Sequence, residues 1–68
     1  MKIAQRIKDL REEHSHTQEY LIEKVHLSIN EYEVGSKIPT LMSILKICRF
    51  YNIRLDEFFA PMNYPEKE

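Results

Sequence analysis

Thr17 to Lys37, TQEYLIEKVHLSINEYEVGSK, is the stretch whose reading decides the fold. Thr17 can cap a helix with its hydroxyl, and Glu19 follows where a carboxylate meets the positive end of that helix. Leu21, Ile22 and Val25 share one face at helical spacing. Ser28 offers a second N-cap, and Ile29 and Tyr32, three apart, lie on the helix it would start. Gly35, the only glycine in the chain, falls where a helix end calls for a left-handed residue. The segment therefore predicts two short helices joined by a tight corner at His26 and Leu27, then a turn at Gly35.

Working outward, Ile3, Ile7 and Leu10 form the apolar stripe of a first helix from about Lys2 to Glu13. Lys2 and Arg6, like Lys8 and Glu12, are four apart, which predicts an exposed face with modest ion pairing. His14, Ser15 and His16 link this helix to Thr17. Two histidines around one residue, with no cysteine or third ligand in register, read as a solvated loop rather than a metal site; His26 reads the same way. Past Gly35, Pro39 disfavours helix at Ile38 and Thr40 can cap the next one. From Leu41 to Tyr51 the apolar side is Leu41, Ile44, Leu45, Cys48 and Tyr51, with Ser43, Lys46 and Arg49 elsewhere. Cys48 on that stripe reads as a small core residue. Asn52 is a candidate left-handed cap. Ile53, Leu55, Phe58 and Phe59 belong to a last short helix stopped by Pro61, and residues 61–68 read as a polar tail.

The totals bound the function. Sixty-eight residues make one small domain, near the lower limit for an unaided core. A single cysteine cannot form an internal disulfide, and nothing resembles a signal peptide or a membrane span, so a reducing, cytoplasmic setting is expected. No glycine-rich phosphate loop, metal-ligand cluster or nucleophile–base set is recognisable. An enzyme is therefore not expected, and no cofactor, metal or small-molecule substrate is implied. The net charge is −1 with a pI of about 6.3, whereas nucleic-acid binders usually carry a basic footprint. Residues 1–16 sum to +1, 17–37 to −2 and 38–68 to zero. The central stretch is thus the most acidic part of the chain.

Two short helices about a corner is nevertheless the plan of a helix-turn-helix, whose second helix enters the DNA major groove. The segments IAQRIKDLREE, TQEYLIEKV, INEYEVGSKIPT and LMSILKICRFYNIRLDEFF occur in an order that resembles the phage-repressor and Cro type of domain, the Xre family. The match extends from about Ile3 to Phe59. It implies an all-α, compact five-helix repressor-like domain over residues 1–60 that binds double-stranded DNA as a homodimer. Gln18 resembles the glutamine that touches a phosphate and orients the recognition helix. Ser36 and Lys37 resemble the loop that meets the backbone from the other side; such contacts fix register without reading sequence. Arg11 and Glu33 resemble a structural pair joining the first helix to the third. Phe58, Phe59, Ala60, Pro61, Met62 and Tyr64 leave an apolar cluster near the C-terminal end as the expected dimer surface.

The corner departs from that family. Ile22 stands where a small residue is common and His26 where glycine is. Between Ser28 and Ile29 the chain is also about three residues short, at the start of the reading helix. Ser28, Asn30 and Glu31 are left as the polar candidates there. Asparagine can read adenine and glutamate can accept from cytosine, but a carboxylate repels phosphate. Two functions follow. One is a sequence-specific DNA-binding transcription regulator whose base reading is impaired by the short corner. The alternative is a protein-interaction or oligomerisation module on the same fold, with little or no DNA binding.

Overall fold

A computed structural model describes residues 3–62, and these form five α-helices and a final 3-10 turn. Helix α1 spans Ile3–Glu13, α2 Gln18–Val25, α3 Ile29–Val34, α4 Leu41–Tyr51 and α5 Leu55–Phe59; the 3-10 turn is Ala60–Met62. The all-α, five-helix expectation holds.

Local chemistry sets most of these boundaries. The Thr17 hydroxyl accepts from the Tyr20 amide at 3.0 Å and starts α2, and Thr40 does the same for α4 through Ser43 at 3.2 Å. Asn52 takes a left-handed conformation at φ 57° and closes α4; Gly35 closes α3 at φ 84°. At α5 the Glu57 carboxylate accepts from the Arg54 amide at 2.7 Å, satisfying one donor at the helix start. Ser28 is a correction. Its side chain makes no capping bond, and α3 instead starts with the Ile29 amide turned back onto the Leu27 carbonyl at 2.9 Å. His26 holds φ 57°, a left-handed conformation at the corner position where the resembled family commonly has glycine.

One core joins all five helices. Ile7 and Leu10 from α1 meet Leu21, Val25, Ile29 and Tyr32 from α2 and α3. Ile44, Ile47, Cys48 and Tyr51 line the inner face of α4, and Phe58 and Met62 close the far end. Helix α1 packs on α3 and on the 3-10 turn, while α4 packs on α2 and α5. Fully burying an apolar side chain of this size contributes roughly 1.5–3 kcal/mol, so few of these residues are dispensable in so small a domain.

Five further expectations are revised. Leu41 is 58% exposed and not part of the α4 stripe, which includes Ile47 instead. Arg6 is buried, not on an open face: it donates to the carbonyls of Phe58 and Glu57 and lies over the Phe58 ring, 5.5 Å from its centroid. The His14–His16 link is exposed at His14 and Ser15, but its rings are in contact: His14 lies against Tyr51 at 4.3 Å between centroids and His16 against Tyr20 at the same distance. The His16 Nδ1 is also 2.9 Å from the Tyr51 hydroxyl. The C-terminal apolar cluster is mostly internal, since Phe58 and Met62 are buried and Phe59 packs against the core. The packed chain consequently runs to Met62, past the expected boundary at residue 60. Tyr64, the remainder of the expected tail and Lys2 at the expected start of α1 lie outside the described residues.

Candidate nucleic-acid interface

One ion-pair network holds α1, α2 and α3 together. Arg11, on the last turn of α1, grips Glu33 of α3 with both arms: Nε to Oε2 at 2.8 Å and Nη2 to Oε1 at 3.0 Å. Its third nitrogen, Nη1, donates to the His16 carbonyl at 2.7 Å and so fixes the link between α1 and α2. Gln18, first residue of α2, donates from Nε2 to Glu33 Oε1 at 2.9 Å. Glu33 thus ties α1, α2 and α3 together through one carboxylate. Its side chain is 3% exposed and that of Arg11 11%. Burial pushes the Glu33 carboxyl up, but hydrogen bonds from Arg11 and Gln18, with the charges of Arg11 and Lys8, outweigh it and hold the pKa below the ordinary value. Glu33 raises the Arg11 pKa further through the same bond, against the opposing effect of burial. A two-armed, charge-assisted contact of this sort fixes orientation as well as energy.

The outer residues form a second, looser group. The Glu31 carbonyl collects the amides of Gly35 and Ser36, each at 3.1 Å, and the Ser36 hydroxyl at 3.4 Å. Its carboxylate meets Lys37 Nζ at 3.3 Å. Glu31, Ser36 and Lys37 therefore share one turn around Gly35. Asn30 is exposed, and its side chain has no hydrogen-bond partner among the described residues. Ser28 is half-buried at the corner. Of the six residues expected to meet DNA, Gln18 is committed inward to Glu33, Glu31, Ser36 and Lys37 are brought together, and Ser28 and Asn30 stand apart from both groups.

The geometry changes the electrostatic picture of this stretch. Residues 17–37 carry a formal −2, yet Glu33 is neutralised by Arg11, which lies outside the segment, and Glu31 is met by Lys37. An anion approaching the Gly35 turn meets far less repulsion than the charge count implies. Lys37 can also leave Glu31 at little cost, because an exposed pair is worth roughly 0–1 kcal/mol. Helix α3 has six residues, under two turns at about 3.6 residues each, so it presents few side chains on its outer face.

Sequence reasoning missed two parts of this arrangement. One is the inward commitment of Gln18; the other is the Arg11 bond to the His16 carbonyl. The first pairing follows from how the α2–α3 corner folds and the second from the α1–α2 link, and neither leaves a periodic signal.

The family model described as helix-turn-helix matches residues 7–58. That span begins at Ile7 and ends at Phe58, two residues buried in the core just described. No curated protein and no solved structure matches the chain.

Proposed function

The chain belongs to the helix-turn-helix family, and from that premise we propose that it is a repressor-like transcription regulator that binds duplex DNA as a homodimer. The family match carries this reading, since it takes in α2, α3 and α4 whole and most of α1 and α5. Helix-turn-helix domains are DNA-binding units and typically do no chemistry, so no catalytic role is assigned. No helix among the described residues is long and apolar enough to cross a membrane.

In this reading Ser36 and Lys37 contact the phosphate backbone and set the register. Gln18 contributes by holding Glu33 and through the amide atoms left over from that bond. Asn30 is the side chain best suited to reading a base, with adenine its natural partner. Glu31 disfavours phosphate but becomes compatible with DNA when Lys37 bridges the two. Ser28 borders the groove. Base reading is weak because α3 is short at the end that should meet base edges.

Fluorescence anisotropy on duplexes taken from upstream of the chain's own gene tests this reading. Binding that weakens steeply with added salt is expected. Three polar helix-forming residues inserted after Ser28 should then raise specific affinity without loss of helical content. Nanomolar specific binding by the parent in physiological salt, with no gain on insertion, would refute the account of the corner.

A second reading, a protein-docking module on the same fold, is favoured by one observation: Val34, Ile38, Leu41 and Met42 are all exposed around the α3–α4 turn. No salt-dependent DNA binding at low ionic strength would select that reading. Sedimentation at tens of micromolar checks the homodimer directly.

A further inference from the structure

An open cleft of about 400 Å³ lies where the end of α2 meets the second half of α4. It is lined by Lys24, Val25, His26, Lys46, Arg49 and Phe50, so three full cations face it and no carboxylate does. In a chain whose net charge is −1, that concentration of one sign is not an average of the surface. The side chains of Lys46 and Arg49 make no ion pair or hydrogen bond among the described residues, and that of Lys24 is engaged only with the Tyr20 ring, 5.4 Å from its centroid. The floor is apolar and partly aromatic. Phe50 is at the border of exposure and Tyr20 stands 6.4 Å from it, ring to ring.

We propose that this cleft binds a small phosphorylated ligand carrying a planar ring, of the class of a nucleoside monophosphate. Lys24, Lys46 and Arg49 would hold the phosphate, with Arg49 able to offer two parallel donors. Phe50 would take the ring against its face. The volume is in the lower part of the range for small-molecule sites, roughly 300–1,000 Å³, which suits a mononucleotide better than a larger cofactor.

Dipole compensation accounts for part of this charge: Lys24 and Arg49 sit in the last turns of their helices, where a cation offsets the negative helix end. Lys46 is a full turn earlier in α4, and neither compensation nor any partner explains it. The cleft is also separate from the proposed DNA face. Gln18 opens α2 and Lys24 lies six residues on, roughly 9 Å along the axis. His26 connects the two sites, since it lines the cleft and is the left-handed residue of the corner. A ligand seated there would bear on the angle between α2 and α3. The proposal does not depend on DNA binding.

Amide chemical-shift titration of the intact chain tests it, with adenosine monophosphate, adenosine, inorganic phosphate and a short single-stranded oligonucleotide as probes. Adenosine monophosphate should shift the amides of Lys24 to His26 and Lys46 to Phe50 with sub-millimolar affinity. Adenosine and phosphate alone should each bind at least tenfold more weakly. Lys46→Gln with Arg49→Gln should cost at least tenfold while the remaining spectrum keeps its dispersion, because neither side chain has a structural partner. Phe50→Leu should weaken adenosine monophosphate but leave phosphate unchanged. Equal affinity for the parent and the double variant, shifts scattered over unrelated lysines, or tighter binding of the oligonucleotide than of the mononucleotide would each overturn the proposal.

Discussion

Replacing Glu33 by glutamine should unfold most of the domain at neutral pH. The substitution keeps the shape of the side chain and removes its charge. In the parent, that charge accepts two bonds from Arg11 at 2.8 and 3.0 Å and one from Gln18 at 2.9 Å. The side chains of Glu33 and Arg11 are 3% and 11% exposed, so water cannot substitute for the lost partner. Breaking one side of such a buried pair costs about 3–5 kcal/mol, whereas an exposed pair contributes roughly 0–1. At roughly 0.05–0.15 kcal/mol per residue, a domain of this length has a total stability on the order of 3–10 kcal/mol. The loss is therefore comparable with the whole. Urea unfolding followed by circular dichroism should find the variant largely unfolded before denaturant is added, or its midpoint lowered by roughly 2 M or more at the slopes usual for small domains. An unchanged midpoint would refute the argument that this pair is structural.

The same carboxylate sets a pH window. Its pKa is held below the ordinary value by Arg11 and Gln18 against the upward push of burial. The unfolded chain, with a glutamate near 4.3, therefore binds the proton more readily than the folded one. Stability from this group is complete above about pH 5 and is lost as pH falls through the folded-state pKa. Parent and Glu33→Gln should converge in strong acid and differ most near neutrality. Arg11→Met combined with Glu33→Leu should recover much of the loss, because a buried pair replaced by apolar groups of similar volume is often neutral.

Two further predictions concern single positions. His26→Gly should stabilise the fold, since a left-handed non-glycine residue costs roughly 1–2 kcal/mol and the added freedom of glycine in the unfolded chain returns about 0.4–1; a thermal midpoint that does not rise by a few degrees would contradict the strain assigned to φ 57°. Cys48 is 2% exposed, and burial raises its thiol pKa against the weaker pull of Arg6, so a disulfide-exchange reagent should label the native protein only as fast as it unfolds. Rapid labelling without unfolding would place the thiol at the surface.

The parts of this fold that were legible in the sequence are those decided within a few residues. Thr17, Thr40, Gly35 and Asn52 act on amides or carbonyls three or four positions away, so residue type and spacing suffice to place them. Ser28 resembles the two threonines in type and spacing, but its backbone sits at ψ 65° where theirs sit at 166° and 167°, and its hydroxyl makes no capping bond. Leu41 fits the periodicity of α4 and is still exposed, because periodicity gives a direction around the axis and not the extent of the neighbour on that side. Arg6 illustrates the converse. Its place on α1 looked polar and open, and only the return of α5, some fifty residues later, brings the carbonyls of Glu57 and Phe58 onto it.

The candidate interface was least legible where charge was merely counted. The −2 of residues 17–37 argues against DNA only if those carboxylates face it. Glu33 does not: Arg11, from another helix, neutralises it in the interior. Glu31 stands at the Gly35 turn, but Lys37 is already within 3.3 Å of it, which leaves that turn close to neutral. Repulsion at the Gly35 turn is thus smaller than the formal charge suggests, while Glu19 and Glu23 stay exposed on α2. The larger obstacle is reach. A phosphate contact from Lys37 tolerates a displaced backbone because its side chain is long and flexible. A base contact from Asn30 does not, because the amide must meet two atoms of one base edge at once. On the proposed function, a short corner would therefore lower specificity before it lowers affinity, since a helix of six residues has little length in which to compensate.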